Sequence, residues 1–147
     1  MVDPRWEATL DRILELTVVL SRDMDEELER MGLTGSRAHL VWELERRGPS
    51  KQQALAEALG VSPRTITALV DGLVATGFVT REPHPTDRRA TQVTFTTQGR
   101  AAAKALVDGH RELASQLFAE VPADRLECFD EVLAGLLARL REISARA

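Results

Sequence analysis

After Trp6, apolar residues recur at Leu10, Ile13, Leu20, Met24, Leu28 and Met31, with Thr17 filling one slot of the same stripe. Steps of three and four put these positions on one face of a helix of about 25 residues. At about 1.5 Å per residue such a helix runs near 40 Å, longer than a small domain covers, so its stripe needs a second chain. Thr34 is placed to cap a second helix through "SRAHLVWELERR", which Gly48 and Pro49 end. A capping box of Ser50 and Gln53 then predicts a short helix through "QALAEAL" that stops at Gly60. Ser62 predicts the next cap, with Pro63 in the first helical position, where its missing amide hydrogen costs nothing. Val61 and Ile66 fit a hydrophobic staple, and the helix runs from Pro63 to about Thr76 before Gly77. Two short helices around a tight "GVS" turn make a helix-turn-helix.

The period then changes. "FVTRE" and "TQVTFT" predict two strands, the second with Val93 and Phe95 on one face. Between them "PHPTDRRA" carries two prolines and an aspartate and predicts a stiff, protruding hairpin tip. Thr96 can cap a long helix with the stripe Leu106, His110, Leu113 and Leu117. Pro122 begins a last helix with Leu126, Phe129, Leu133, Leu136, Leu137 and Leu140 on one side. The fold class is therefore mainly α with a small β-hairpin. It divides into an N-terminal helix over 1–33, a winged helix-turn-helix over 34–100 and C-terminal helices over 101–147.

Charge sharpens this picture. The chain has 147 residues and a formal net charge of −4, but the three regions sum to −5, +3 and −2. A positive centre between negative ends is what an acidic protein needs if its middle meets a polyanion. One cysteine, Cys128, rules out an internal disulfide, and no run of 18 apolar residues or basic leader occurs. A cytoplasmic protein without a membrane partner is the expectation.

The helix from Pro63 buries Ile66, Leu69, Val70 and Leu73, leaving Arg64, Ala68 and Asp71 on the opposite face with Thr65 and Thr67 at its flanks. Arginine can fork onto guanine, and threonine can bond a base edge or touch a thymine methyl. The backbone amides after Ser62 and Pro63 can hold a phosphate. Arg88 and Arg89 on the hairpin can reach an adjacent minor groove or its phosphates, with Asp87 holding the Arg89 guanidinium in one rotamer. Lys51, Gln52 and Arg37 are candidates for phosphate contacts that position the protein without reading sequence.

The stretch "SPRTITALVDGLVATGFVTREPHPTDRRATQVTFTTQG" resembles the core of the MarR family of winged helix-turn-helix regulators. The family's D-x-R wing motif and its (L/F)-T-x-x-G strand end fall on Asp87, Arg89, Phe95, Thr96 and Gly99. The order of elements matches over the whole length. The resemblance implies a homodimer built by the first and last helices, recognition by the helix from Pro63 to Thr76, and a minor-groove contact by Arg89. It also implies repression of genes, relieved by a small phenolic or other lipophilic ligand, an oxidant or, occasionally, a metal. In a two-fold dimer the recognition helices enter major grooves about 34 Å apart, so the operator is expected to be pseudo-palindromic with half-sites about 10 bp apart.

Other chemistry is thinner. Cys128 lies off the leucine stripe of the last helix among Asp124, Glu127 and Glu131, which gives a thiolate little support, so a redox-responsive regulator is the lesser alternative. His39, His84 and His110 fall on separate elements without ligand spacing, and no metal is expected. His110 on an apolar stripe reads first as a buried, satisfied histidine. Trp6 and Trp42 read as core or dimer anchors. His39, Trp42 and His110 are the candidates for an effector site. No Walker loop, dinucleotide fingerprint, zinc-protease motif or G-x-S-x-G occurs, so neither an enzyme nor a cofactor is expected. A winged helix that binds only protein is the remaining alternative, because a fold does not dictate its use.

Overall fold

In the computed structural model, which describes residues 3–146, the chain forms six helices and one hairpin among the described residues. Helix α1 spans Pro4–Arg30, with Asp3 as its cap accepting from the Arg5 amide at 2.9 Å. The Arg5 guanidinium beside Asp3 holds that half-buried carboxyl below its ordinary value. Of α1's stripe only Leu28 is buried, while Ile13, Leu20 and the adjoining Met31 are half-buried. Leu10 and Met24 are exposed, and Trp6 is 66% exposed and anchors no core within the chain.

Helices α2 (Gly35–Arg47), α3 (Gln52–Leu59) and α4 (Pro63–Ala75) enclose the core. Leu40, Val41 and Leu44 from α2, Leu55 from α3, and Ile66, Val70 and Leu73 from α4 are fully enclosed together with Val79 and Val93 of the hairpin. Leu69 is half-buried at the margin. Ser62 caps α4 by accepting from the Thr65 amide at 3.1 Å, and Thr34 caps α2 by accepting from the Arg37 amide at 3.4 Å. Val61, packed against the core beside buried Ile66, completes the staple geometry at the start of α4.

The start of α3 differs from the sequence expectation. Lys51, not Ser50, is its cap residue, and no side chain caps it. Ser50 exchanges two backbone hydrogen bonds with Val93, at 3.1 and 2.7 Å, and its hydroxyl donates to the Gly48 carbonyl. Gln53 bonds along its own helix to Glu57. Ser50 is thus a short edge for the sheet, and satisfying two backbone groups of a buried strand outweighs a local cap.

Strands β1 (Val79–Pro83) and β2 (Thr91–Phe95) pair antiparallel, from Val79 opposite Phe95 to Pro83 opposite Thr91. Val93 faces the core and Phe95 packs half-buried beside it. Past β2 the Thr96 hydroxyl donates to the Gly77 carbonyl at 2.5 Å, lies 3.2 Å from that of Phe78, and accepts from the Gly99 amide at 3.0 Å. This single side chain joins the end of α4, the start of β1 and the first turn of α5 (Thr97–Phe118). Gly99 is buried against the Phe78 carbonyl so closely that a Cβ would overlap it.

Two compact units divide at Leu106 and Val107. In the first, Ala102, Ala103 and Leu106 of α5 pack on the core just described. The second holds the rest of α5 and helix α6 (Ala123–Ala145), in which no residue is buried. Leu126 and Leu133 are half-buried, whereas Phe129, Leu136, Leu137 and Leu140 are exposed, the last at 61%. His110 is exposed as well, against the expectation of a buried histidine, because the α5 stripe at Leu113 and Leu117 is itself open. Among the described residues no helix is long and apolar enough to cross a membrane.

The overlap at Gly99 gives a direct stability test. Gly99→Ala should cost roughly 1–3 kcal/mol, read as a lowered midpoint of urea unfolding, because the backbone of Phe78 has to give way. Thr96→Ala should also destabilise, by loss of the caps it supplies to three segments.

Candidate nucleic-acid interface

The exposed row of α4 is set by its cap. With Ser62 as N-cap and Pro63 first in the helix, Arg64 and Ala68 stand one turn apart in solvent, and Asp71 follows on the same face. The two threonines differ in what they can offer. The Ser62 hydroxyl donates to Thr65 Oγ1 at 2.9 Å, which leaves the Thr65 hydroxyl hydrogen free to donate outward. Thr67 donates to the Pro63 carbonyl at 2.8 Å and accepts from Gln52 Nε2 at 3.1 Å, so it offers a partner its methyl and no free hydroxyl hydrogen.

The hairpin tip, residues 84–90, is braced by its own backbone. His84 donates to the Ala90 carbonyl at 2.9 Å, Ala90 donates to that of Asp87 at 3.1 Å, and the Thr86 amide reaches the His84 ring at 3.3 Å. Asp87 has a different task from the one its spacing suggested. Its Oδ1 accepts from the Arg89 backbone amide at 3.1 Å, and its Oδ2 lies 3.5 Å from Lys51 Nζ on the neighbouring α3 cap. The carboxylate therefore fixes the turn and ties it to α3 rather than gripping the Arg89 guanidinium. Arg88 and Arg89 are exposed, and their guanidiniums, like that of Arg64, have no ion pair among the described residues.

The remaining positioning candidates are already engaged within the protein. Lys51 pairs with Asp87. Half-buried Gln52 donates to Thr67 and accepts from Arg81 Nε at 2.9 Å. Arg81 in turn reaches Asp71 Oδ1 with Nη2 at 2.6 Å. Arg37 lies with its guanidinium over Gly72 of α4, in the space a side chain there would need. Sequence periodicity passed over both Arg81 and Gly72. The only signals were a cation inside a strand and a glycine inside a helix, both ordinarily unfavourable there.

The effector candidates do not converge on a described cavity. His39 is exposed and Trp42 half-buried, one turn apart on α2, while His110 belongs to the second unit. Two concavities of the first unit are lined by other residues. One lies among Leu44, Pro49, Phe95 and Arg100, and the other among Ala56, Val61, Ile66 and Thr67. Cys128 is exposed on α6. No group of three His, Cys, Asp or Glu side chains that could hold a metal ion occurs among the described residues.

Residues 33–91, which contain α2, the helix-turn-helix, β1 and the wing tip, match the model of the MarR family. A curated relative is the HTH-type transcriptional repressor YetL of Bacillus subtilis, 34% identical over 86 residues. That match takes in 58% of this chain and 52% of YetL, so the chain spans about half the length of this relative. AbsC, a MarR family transcriptional regulator from Streptomyces coelicolor, superposes with a TM-score of 0.76 at 19% identity, covering 97% of this chain and 98% of AbsC. A MepR–DNA complex from S. aureus superposes at 0.66 with 22% identity, covering 86% and 96%. The mainly helical chain with its two-stranded hairpin thus shares the winged-helix fold of these solved structures, and its residues 33–91 are similar to the MarR family.

Proposed function

We propose that this chain is a sequence-reading DNA-binding transcriptional regulator that acts as a homodimeric repressor. The observation that carries the reading is the set of exposed, unpaired guanidiniums of Arg64, Arg88 and Arg89 on a capped helix and a braced hairpin. In a protein of net charge −4, leaving these three cations unneutralised while Lys51 and Arg81 are paired favours a polyanionic partner. Arg64, Thr65, the Thr67 methyl and Ala68 face the major groove, with the amides after Ser62 and Pro63 on a phosphate. Arg88 and Arg89 reach the flanking minor groove from the tip that Asp87 holds. Lys51, Gln52 and Arg37 then serve the interface by fixing its parts, adding only peripheral contacts to phosphate. The DNA held by MepR supports the same use of the fold here.

The apolar faces of α1 and α6 carry the dimer reading, in which residues 1–33 and 101–147 pair with those of a second copy. Trp6, Leu10 and Leu14 on α1 and Phe129, Leu136, Leu137 and Leu140 on α6 are all exposed, and clustered apolar side chains of this kind are characteristic of interaction faces. Release by a small lipophilic or phenolic effector completes the proposal. Trp42 and His39 on α2 are candidate effector contacts in the first unit, and His110 on α5 is a separate candidate in the second. The acid-flanked, exposed position of Cys128 argues against thiolate sensing.

The reading is tested by selecting bound duplexes from a random library. Enrichment of a pseudo-palindrome with half-sites about 10 bp apart is the expected result. Recovery without sequence enrichment would overturn it in favour of a protein-binding winged helix. On an enriched duplex, Arg64→Ala should cost roughly 1–3 kcal/mol and relax preference at particular base pairs. Arg89→Ala should weaken all variants alike and lower the salt slope by about one. Leu136→Glu should shift sedimentation toward the monomer and lower DNA affinity with it. An intact dimer in that variant would count against the α6 interface.

A further inference from the structure

Asp71 poses a problem that the proposed function leaves open. It lies on the exposed α4 face with Arg64 and Ala68, so the surface meant for DNA carries a carboxylate aimed at a polyanion. Arg81, from the middle of β1, resolves it by placing Nη2 2.6 Å from Asp71 Oδ1. The same guanidinium donates from Nε to Gln52 Oε1 at 2.9 Å, which fixes the Gln52 amide with its nitrogen toward Thr67 Oγ1 at 3.1 Å. The Thr67 hydroxyl donates its hydrogen to Pro63 and accepts from Gln52, so it has no hydrogen to donate outward and is held by both bonds. One planar, forked cation thus reaches from the wing strand to two groups on the helix-turn-helix and sets a chain of hydrogen bonds ending at a groove-facing side chain. Exposed ion pairs of this kind contribute little to stability, so orientation is the main effect of the arrangement.

Resting on the DNA-reading assignment above, we propose that Arg81 is a specificity-determining positioning residue. It neutralises Asp71 and, through Gln52, orients Thr67 so that the recognition helix presents a methyl and no hydroxyl donor to the bases.

The test uses the full-length protein and a duplex enriched by the wild type from a random library. Affinities of the wild type, Arg81→Ala, Arg81→Lys, Gln52→Ala and the Gln52→Ala/Arg81→Ala double variant are measured across all single base-pair changes, at two salt concentrations. Arg81→Ala should reduce discrimination about fivefold or more at a subset of positions, the same subset that Gln52→Ala affects, and the double variant should go no further. Its salt slope should stay that of the wild type, because no phosphate contact is lost. Arg81→Lys should recover overall affinity by neutralising Asp71 but not discrimination, since one ammonium cannot reproduce the fork. A uniform loss on every duplex with a salt slope reduced by about one would overturn the assignment and make Arg81 a phosphate contact. Should Arg81→Ala prove unfolded by circular dichroism, Arg81→Lys decides the matter, and full wild-type discrimination in it would overturn the proposal. A wild-type selection without enrichment would overturn the DNA reading itself and this role with it.

Discussion

A two-stranded hairpin cannot bury enough surface to stand alone, and everything this protein offers to a partner depends on how its hairpin is held. The hold has three parts. Ser50 pairs its backbone with Val93, which extends the sheet toward α3. Thr96 clamps the ends of both strands to the turn after α4, and Gly99 lets α5 approach the Phe78 backbone. Arg81 joins the outer face of β1 to Asp71 and Gln52. Each of the three ties the hairpin to a different neighbour, the first to the start of α3, the second to the turn after α4 and to α5, and the third to α3 and α4.

The same anchoring explains how an acidic chain presents a cationic surface. Asp71 on α4 and Asp87 on the hairpin tip are each matched by a specific cation, Arg81 and Lys51 respectively. Arg64, Arg88 and Arg89 are left over, all on exposed positions whose backbone is fixed by a cap or a turn. The fixed backbone spares these residues backbone ordering on binding, while their unpaired side chains still lose rotamer freedom.

Local rules made most of the fold legible from sequence. The caps at Thr34 and Ser62, the proline at the start of α4 and the alternation around Val93 act over a few residues and sit where their patterns put them. The α3 capping box failed because its serine serves a strand far along the chain, an interaction that no window of four residues contains. Asp87 was placed correctly on the tip, but its partners were not, since Lys51 lies close only after folding. Arg81 was invisible for the same reason, its partners standing 29 and 10 positions away in sequence without periodicity. The apolar stripes of α1 and α6 fall on faces that the single chain leaves largely open, with Leu28 the one buried residue of the α1 stripe.

The account's central claim is that α4 and the wing meet DNA together, twice per dimer. Hydroxyl-radical footprinting on an enriched duplex tests it most directly, because it reads the backbone position of every contact. The account predicts two symmetric protected segments about one helical turn apart, each flanked on its outer side by a minor-groove patch that disappears in the Arg88→Ala/Arg89→Ala variant. A single continuous footprint indifferent to those substitutions, or none at all, would contradict it.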